Sequence, residues 1–182
     1  MAVANSEIIP VSDAIELRAV DERYTADLHN LVIKNKAWLQ TAFDWIQHVG
    51  TEDDTRRNIQ SNQMLHQRGY SKMFLIFQDE SLVGVLSFNA IEPANKTGYI
   101  GYWLDEEQQG KGIISRSLQA FMRYYVDAGI VRRFVIKCRM HNASSNRVAV
   151  RNGFTLEGCL REAEFLNGRF DDVNLYARIF SL

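Results

Sequence analysis

The chain has 182 residues, 46% of them apolar and 24% charged, with a formal net charge of −1. That is the size of one domain, long enough to bury its own core, and the balance of a globular chain, neither fibrous nor disordered. The near-zero charge gives no whole-molecule field to hold nucleic acid or an anionic membrane, and no apolar run approaches the ~20 residues of a spanning helix.

Residues 1–7 lack the basic and apolar segments of a secretory leader, so a cytoplasmic setting is expected. Cys138 and Cys159 form no C-x-x-C or Cys/His cluster, and both fall in strand-like apolar surroundings that predict buried packing thiols. His29, His48, His66 and His141 are scattered without ligand spacing, so no metal site is expected.

In chain order, residues 15–20 alternate as a first strand. Asp21 can cap a helix whose Leu28, Leu31 and Val32 share a face. Trp38, Leu39, Phe43 and Trp45 follow, readable either as packing between helices or as the wall of a substrate cleft. A second helix opens on Thr51 with acids in its first turn and closes on Arg68 and Gly69. Residues 72–78 and 82–91 flank a turn at Asp79–Ser81 as a hairpin, and a third strand, 97–104, completes an antiparallel meander.

Next come an acidic turn, then Gln109, Gly110, Lys111 and Gly112, then helical spacing at Ile113, Leu118, Phe121, Met122 and Tyr125 up to Gly129. The strand 133–138 is apolar enough to be central and should run parallel to 99–104 through a right-handed crossover. A short helix starts at residues 142–146 and stops at Gly153. Strands 154–161 and 172–180 finish the sheet, with a turn at Asn167 and Gly168. No repeat or linker interrupts the chain, so residues 1–182 are expected to form one α/β domain.

The glycine loop is the most informative stretch. Glycines before a helix let backbone approach a ligand, and the unpaired first-turn N–H groups sit at the positive end of the dipole, a seat for phosphate. Lys111 lies between the glycines with no Ser or Thr after a Gly-Lys pair, so this is no Walker loop. Ser115 stands where a dinucleotide fingerprint needs its third glycine. Between residues 127 and 157 no acid occurs, while Arg132, Arg133, Lys137, Arg139, Arg147 and Arg151 do. If the loop holds a pyrophosphate, this basic flank would serve a further phosphate nearby.

The spacing Gln109-x-x-Gly112-x-Ile114 resembles the Q/R-x-x-G-x-G/A loop of the GNAT N-acetyltransferases, with Ile114 departing from the small residue usual there. The stretch Asn142-x-x-Ser145-Asn146-x-Val148 followed by Gly153-Phe154 resembles the segment of that family that carries side chains to the pantetheine arm. The order of elements matches as well. Segments 65–70, 84–89, 100–105, 133–139 and 154–159 resemble the branch of the family that acetylates the N-terminal serine of a ribosomal stalk protein.

The resemblance implies the GNAT fold, a mostly antiparallel sheet with splayed parallel central strands and helices on both faces. It also implies acetyl-CoA as co-substrate and direct transfer to an N-terminal α-amine. Coenzyme contacts would come from Trp103, Leu104, Gln109, Gly110, Lys111, Gly112, Ile113, Ile114, Asn142 and Asn146, with the Leu104 backbone N–H polarising the carbonyl.

The strand 99–104 contains no acid, and the residues alone leave Glu157, Glu162, Glu164, Asp171 and Asp172 open as the base, with Glu162 and Glu164 on one face if that piece is extended. The resemblance selects Glu164, acting through a water, and assigns protonation of the leaving thiolate to Ser145, which could otherwise be a simple helix cap. It further implies a homodimer. Two alternatives remain: acetylation of a small amine such as a polyamine or antibiotic, and a non-catalytic acyl-CoA-binding module.

Overall fold

A computed structural model describes residues 7–182. The start of the chain, from which the lack of a leader was read, therefore lies almost wholly outside the described residues. The strands are β1 (Ile8–Pro10), β2 (Ile15–Ala19), β3 (Lys72–Gln78), β4 (Ser81–Glu92), β5 (Thr97–Leu104), β6 (Arg133–Arg139), β7 (Thr155–Leu166) and β8 (Arg169–Ile179). The helices are α1 (Thr25–Lys34), α2 (Lys36–Leu39), α3 (Glu52–Arg68), α4 (Ile113–Asp127) and α5 (Ala143–Arg151). The strands form one sheet in the order β1-β2-β3-β4-β5-β6-β8-β7. Every neighbouring pair is antiparallel except β5–β6.

Both faces of the sheet are covered, as two separate apolar clusters require. On one face α4 and α5 pack Leu118, Phe121, Tyr125 and Ala149 against Phe74, Phe88 and Phe134. On the other, α1 and the segment after it pack Leu28, Val32, Leu39 and Ile46 against Leu75, Val85 and Trp103. Two-residue periodicity in β5 divides the labour: Ile100 and Leu104 belong to the first cluster and Trp103 to the second.

Local chemistry accounts for the boundaries. Thr51 and Asp54 form a reciprocal capping box at the start of α3, and Gly69 ends it in the left-handed conformation. The β3–β4 turn puts Asp79 and Glu80 at φ 48° and 67°, the primed geometry of a two-residue hairpin.

Several expectations need correction. A strand at residues 8–10 precedes the one expected first, so 97–104 is the fifth strand of the chain. Asp21 caps a 3-10 turn, Glu22–Tyr24, that feeds α1. The strands expected at 154–161 and 172–180 are longer, because they continue as a hairpin up to Asn167 and Gly168. Cys138 is buried, but Cys159 is exposed on β7, which forms the sheet edge and has no partner strand beyond it among the described residues.

The feature that positions the site is a gap. Parallel pairing of β5 with β6 runs from Thr97↔Arg133 to Ile100↔Ile136 and stops there, although β5 continues to Leu104 and β6 to Arg139. The two central strands therefore diverge just before the glycine loop.

Candidate functional site

The loop is built to expose amides. Gly110 and Gly112 have φ of 78° and 74°, which side-chain-bearing residues adopt only with strain, and Gly112 is the N-cap of α4. The first bond of the helix runs from Arg116 N–H to the Gly112 carbonyl at 3.1 Å, so the N–H groups of Gly112 to Ser115 have no acceptor within α4. Gln109, Gly110, Gly112, Ile113 and Ile114 line a cleft of about 1280 Å³ that extends into the β5–β6 gap. Lys111 does not line it; its Nζ donates to Gln108 Oε1 at 3.2 Å. Ile114 packs its side chain into the α4-face cluster, which reconciles the bulky residue with an amide on the cleft.

The loop is braced from the other layer. Lys34 Nζ donates to Asp105 Oδ2 and Glu107 Oε2, both at 2.9 Å, while Asn35 Oδ1 accepts from the Glu106 N–H at 3.0 Å and from Trp38 Nε1 at 2.8 Å. Burial is the largest single influence on Asp105 and would raise it, but the bonds from Lys34, the Glu107 N–H and Asn35 together outweigh it and hold the carboxyl below its usual range. Trp38 thus serves this brace and also lines the cleft.

Inside the gap, Asp105 N–H donates to the Val83 carbonyl at 2.7 Å, on the β4 side. By alternation, the backbone groups of Leu104 and Tyr102 face the opposite edge, toward β6, where pairing has ceased. The Leu104 N–H therefore points into the cleft that Leu104 and Trp103 line.

Across the gap, the N-cap of α5 is Asn142, whose side chain accepts from the Ser145 N–H at 3.2 Å. Ser145 is thus not the cap. Its hydroxyl lies 3.0 Å from the Tyr102 hydroxyl, and burial pushes Tyr102 up to about 12, so that phenol stays protonated. Burial likewise pushes the nearby Cys138 thiol up, with Ser145 pulling it partly back. Asn142 and Ser145 line the cleft. Asn146 is not among the lining residues: its Nδ2 donates to the Arg139 and Asn142 carbonyls, and its Oδ1 accepts from Asn174 and Tyr176.

The far wall comes from the β7–β8 hairpin. The five carboxylates left open by the residues separate here. Glu157 is taken by Arg133, with bonds of 2.6 and 3.0 Å. Glu162 has φ 49° in a bulge that breaks the expected alternation, so it does not share a face with Glu164, and its N–H is held by Asp172 at 2.8 Å.

Of these five, only Glu164 and Asp171 line the cleft; Glu92 on β4 also lines it, where it accepts from the Tyr99 hydroxyl at 3.3 Å. Bonds from Arg169, assisted by Arg139, hold the buried Asp171 carboxyl below its usual range, which makes it a poor base. Glu164 is the less committed of the two, 44% exposed with its nearest cation, Arg139 Nε, at 3.8 Å. Arg139 also donates to the Thr41 carbonyl, and Asn167 Nδ2 to the Gln40 carbonyl at 3.1 Å, tying the end of β6 and the hairpin turn to the segment after α2. Of the basic run, Arg133 and Arg139 are spent on ion pairs; Arg139 lines the cleft all the same, as do Lys137 and Arg151. No three His, Cys, Asp or Glu side chains among the described residues cluster as metal ligands.

Sequence reasoning missed Tyr102 and the Arg139–Asp171 bridge. Tyr102 was findable, since alternation puts it on the same side as Ile100 and Leu104. The bridge joins positions 32 residues apart and has no local signal.

Comparison with known proteins gives a consistent result. The family described as "Acetyltransferase (GNAT) domain" matches residues 14–155. The ribosomal-protein-serine acetyltransferase of Escherichia coli (strain K12) is 60% identical over 174 residues, 96% of this chain and 97% of that protein. A solved structure of RimL, a ribosomal L7/L12 alpha-N-protein acetyltransferase in complex with coenzyme A and with a coenzyme–cysteine disulfide, superposes with a TM-score of 0.93 at 62% identity, covering 95% of this chain and 98% of that one. The microcin C7 self-immunity acetyltransferase MccE, in complex with acetyl-CoA and AMP, superposes with a TM-score of 0.91 at 38% identity over 93% and 94% of the two chains.

Proposed function

The chain belongs to the GNAT acetyltransferase family, and on that premise we propose that it transfers acetyl from acetyl-CoA to the N-terminal serine of a ribosomal stalk protein of the L7/L12 type. The observation that carries this reading is the cleft that joins a loop of free amides, a strand gap with an inward-facing N–H, and a lightly paired carboxylate.

In this mechanism the amides of residues 112–115, with Gln109, hold the pyrophosphate at the positive end of α4. The pantetheine arm lies in the β5–β6 gap beside Trp103, Leu104 and Asn142, and Lys137 and Arg151 are at hand for further charge. The coenzyme supplies an activated thioester, and the protein does the rest by placement. An α-amino group has a reference pKa of ~7.7–8.0, so a carboxylate suffices to remove its proton. Glu164 takes that proton through a water as the C–N bond forms, and the Leu104 N–H donates to the oxygen on which charge develops. As the C–S bond breaks, Ser145 passes a proton to the sulfur and recovers one from Tyr102 or solvent.

The setting is cytoplasmic in this reading, where ribosomal proteins and acetyl-CoA meet; no helix among the described residues is long and apolar enough to cross a membrane. The working form is a homodimer. The edge strand β7 supports this, since Leu156, Leu160 and Phe165 are exposed along it and Phe170 beside it, a row that a second copy would cover.

The likeness to MccE favours a second reading, a small acceptor carrying a nucleotide. Incubation with acetyl-CoA and purified stalk protein, followed by mass mapping, separates the two. Acetylation confined to the N-terminal serine supports the first; an unmodified protein beside a turned-over small amine overturns it.

A further inference from the structure

A second cavity, of about 420 Å³, lies on the opposite face of β4 and β5 from α4, under α1 and α3. It shares Phe43, Asn89, Gly101, Tyr102 and Trp103 with the reaction cleft, so the two are continuous across that threshold. Its walls are largely apolar, from Leu28, Val32, Trp45, Val49, Met73 and Val85. None of these residues has a part in the chemistry proposed above.

Two polar features suit this space to a ligand. Ser71 lines it and is 7% exposed, yet its hydroxyl has no hydrogen-bond partner among the described residues. A buried hydroxyl left unpaired costs free energy, so it is a place where a partner is due. At the threshold stands Asn89, the residue on β4 where the register with β5 shifts, between Phe88 and Ala90. The Ser87 hydroxyl lies 3.0 Å from Asn89 Oδ1 and 3.3 Å from the Gly101 carbonyl; donating to the former, it orients the amide and leaves Nδ2 without an acceptor among the described residues. This placement requires Gly101: a Cβ there would meet Asn89 Nδ2 at 2.7 Å. An oriented donor at the mouth of an apolar chamber with an unpaired hydroxyl matches an extended peptide, one polar backbone group at the entrance and an apolar side chain inside.

We propose that this cavity, entered from the reaction cleft past Asn89, receives the side chain of the acceptor's second residue and selects a large apolar one there. The inference rests on the N-terminal acetyltransferase reading. With the serine amine in the cleft, the next Cα is about 3.8 Å further along the chain, the reach that carries its side chain over the threshold. Asn89 donates to the acceptor's first peptide carbonyl, and Ser71 bonds a polar group of the incoming backbone.

The test uses pentapeptides beginning Ser-Leu, Ser-Ala and Ser-Asp, otherwise identical, with the unaltered enzyme and acetyl-CoA. The leucine peptide is expected to exceed the alanine peptide in kcat/KM by about 10- to 100-fold, the range a hydrophobic pocket achieves, with aspartate lowest. Equal kcat/KM across the series, with turnover intact, overturns the subsite and leaves the acetyltransferase reading standing. No turnover on any peptide or on the stalk protein overturns that reading, and the subsite with it.

Val32→Phe, which fills the chamber, should bring the leucine and alanine peptides to near parity while calorimetry shows unchanged affinity for acetyl-CoA. A leucine preference that survives in this variant, with acetyl-CoA binding intact, places the side chain elsewhere and overturns the proposal.

Discussion

The two walls of the cleft are made in different ways. The wall proposed to hold the coenzyme is contiguous in sequence and made largely of backbone: two left-handed glycines, the first turn of α4 and the inner edge of β5. The wall proposed to face the acceptor depends on side chains drawn from far apart, with Arg139 and Asn167 donating to the Thr41 and Gln40 carbonyls across 98 and 127 residues. A wall of amides recognises a ligand common to a whole family and tolerates side-chain change, as Ile114 demonstrates. A wall of side chains can be rebuilt for each acceptor.

The sharpest way to break that distinction is to disable one wall and read the other. Glu164→Gln keeps the shape of the acceptor wall and removes the carboxylate proposed as the base. It should lower kcat by about 100- to 10,000-fold, with the KM for acetyl-CoA nearly unchanged. Steady-state kinetics with both substrates varied checks this, and an unaffected kcat would remove Glu164 from its role. The converse is Gly112→Val, which forces a β-branched residue to φ 74° and turns the amides of the first turn. Here the KM for acetyl-CoA should rise by about tenfold or more, on the order of 1–2 kcal/mol of backbone strain, while acceptor preference stays as it was. Loss of acceptor discrimination in this variant would mean that the walls are not independent.

A smaller effect is expected where the walls meet. Ser145→Ala removes the hydroxyl that Tyr102 orients, and a coenzyme A thiolate is a good leaving group. kcat should therefore fall by only about tenfold, with the loss growing at high pH, where solvent protonates the thiolate less readily. Tyr102→Phe should reproduce part of that loss with the KM for acetyl-CoA unmoved; a full loss of coenzyme binding would show that the tyrosine only props the gap open.

The same contrast explains what was legible in the chain. The meander, the crossover helix and the glycine loop follow from periodicity and from glycines whose φ only a glycine tolerates readily, and these are local signals. The Asn142 to Ser145 stretch was also visible, although only the geometry showed that Asn142 is the cap and Ser145 therefore free. The acceptor wall left no such trace. The bulge at Glu162 was invisible to simple alternation, and Asn146 reads as a ligand residue until its four bonds within the protein are seen. The edge position that exposes Cys159 is a property of strand order, which no window of sequence records.

The smallest expected effect lies away from both walls and serves as their control. Glu7 accepts from His66 Nε2 at 2.8 Å and from the Tyr124 hydroxyl at 2.9 Å, with Lys72 Nζ at 3.6 Å, so it links the start of the described chain to α3 and α4. His66 Nδ1 accepts from the Met73 N–H at 3.1 Å, which leaves Nε2 as the protonated nitrogen that donates to Glu7. The His66 bond leads the causes that lower the Glu7 carboxyl to about 2, against an ordinary 4.5. A carboxyl lowered on folding adds stability that is complete above its unfolded value and fades as pH falls through the folded one, so this contribution should be lost between about pH 5 and pH 2. Because the side chain is partly exposed, solvent screening keeps the effect modest. Glu7→Gln should lower Tm by a few degrees at pH 7, by less at pH 3, and leave both KM values and the acceptor preference untouched. Thermal unfolding across pH checks the first part. A shift in either KM would mean that the rim of the sheet communicates with the cleft, and the two walls would then have to be treated as one body.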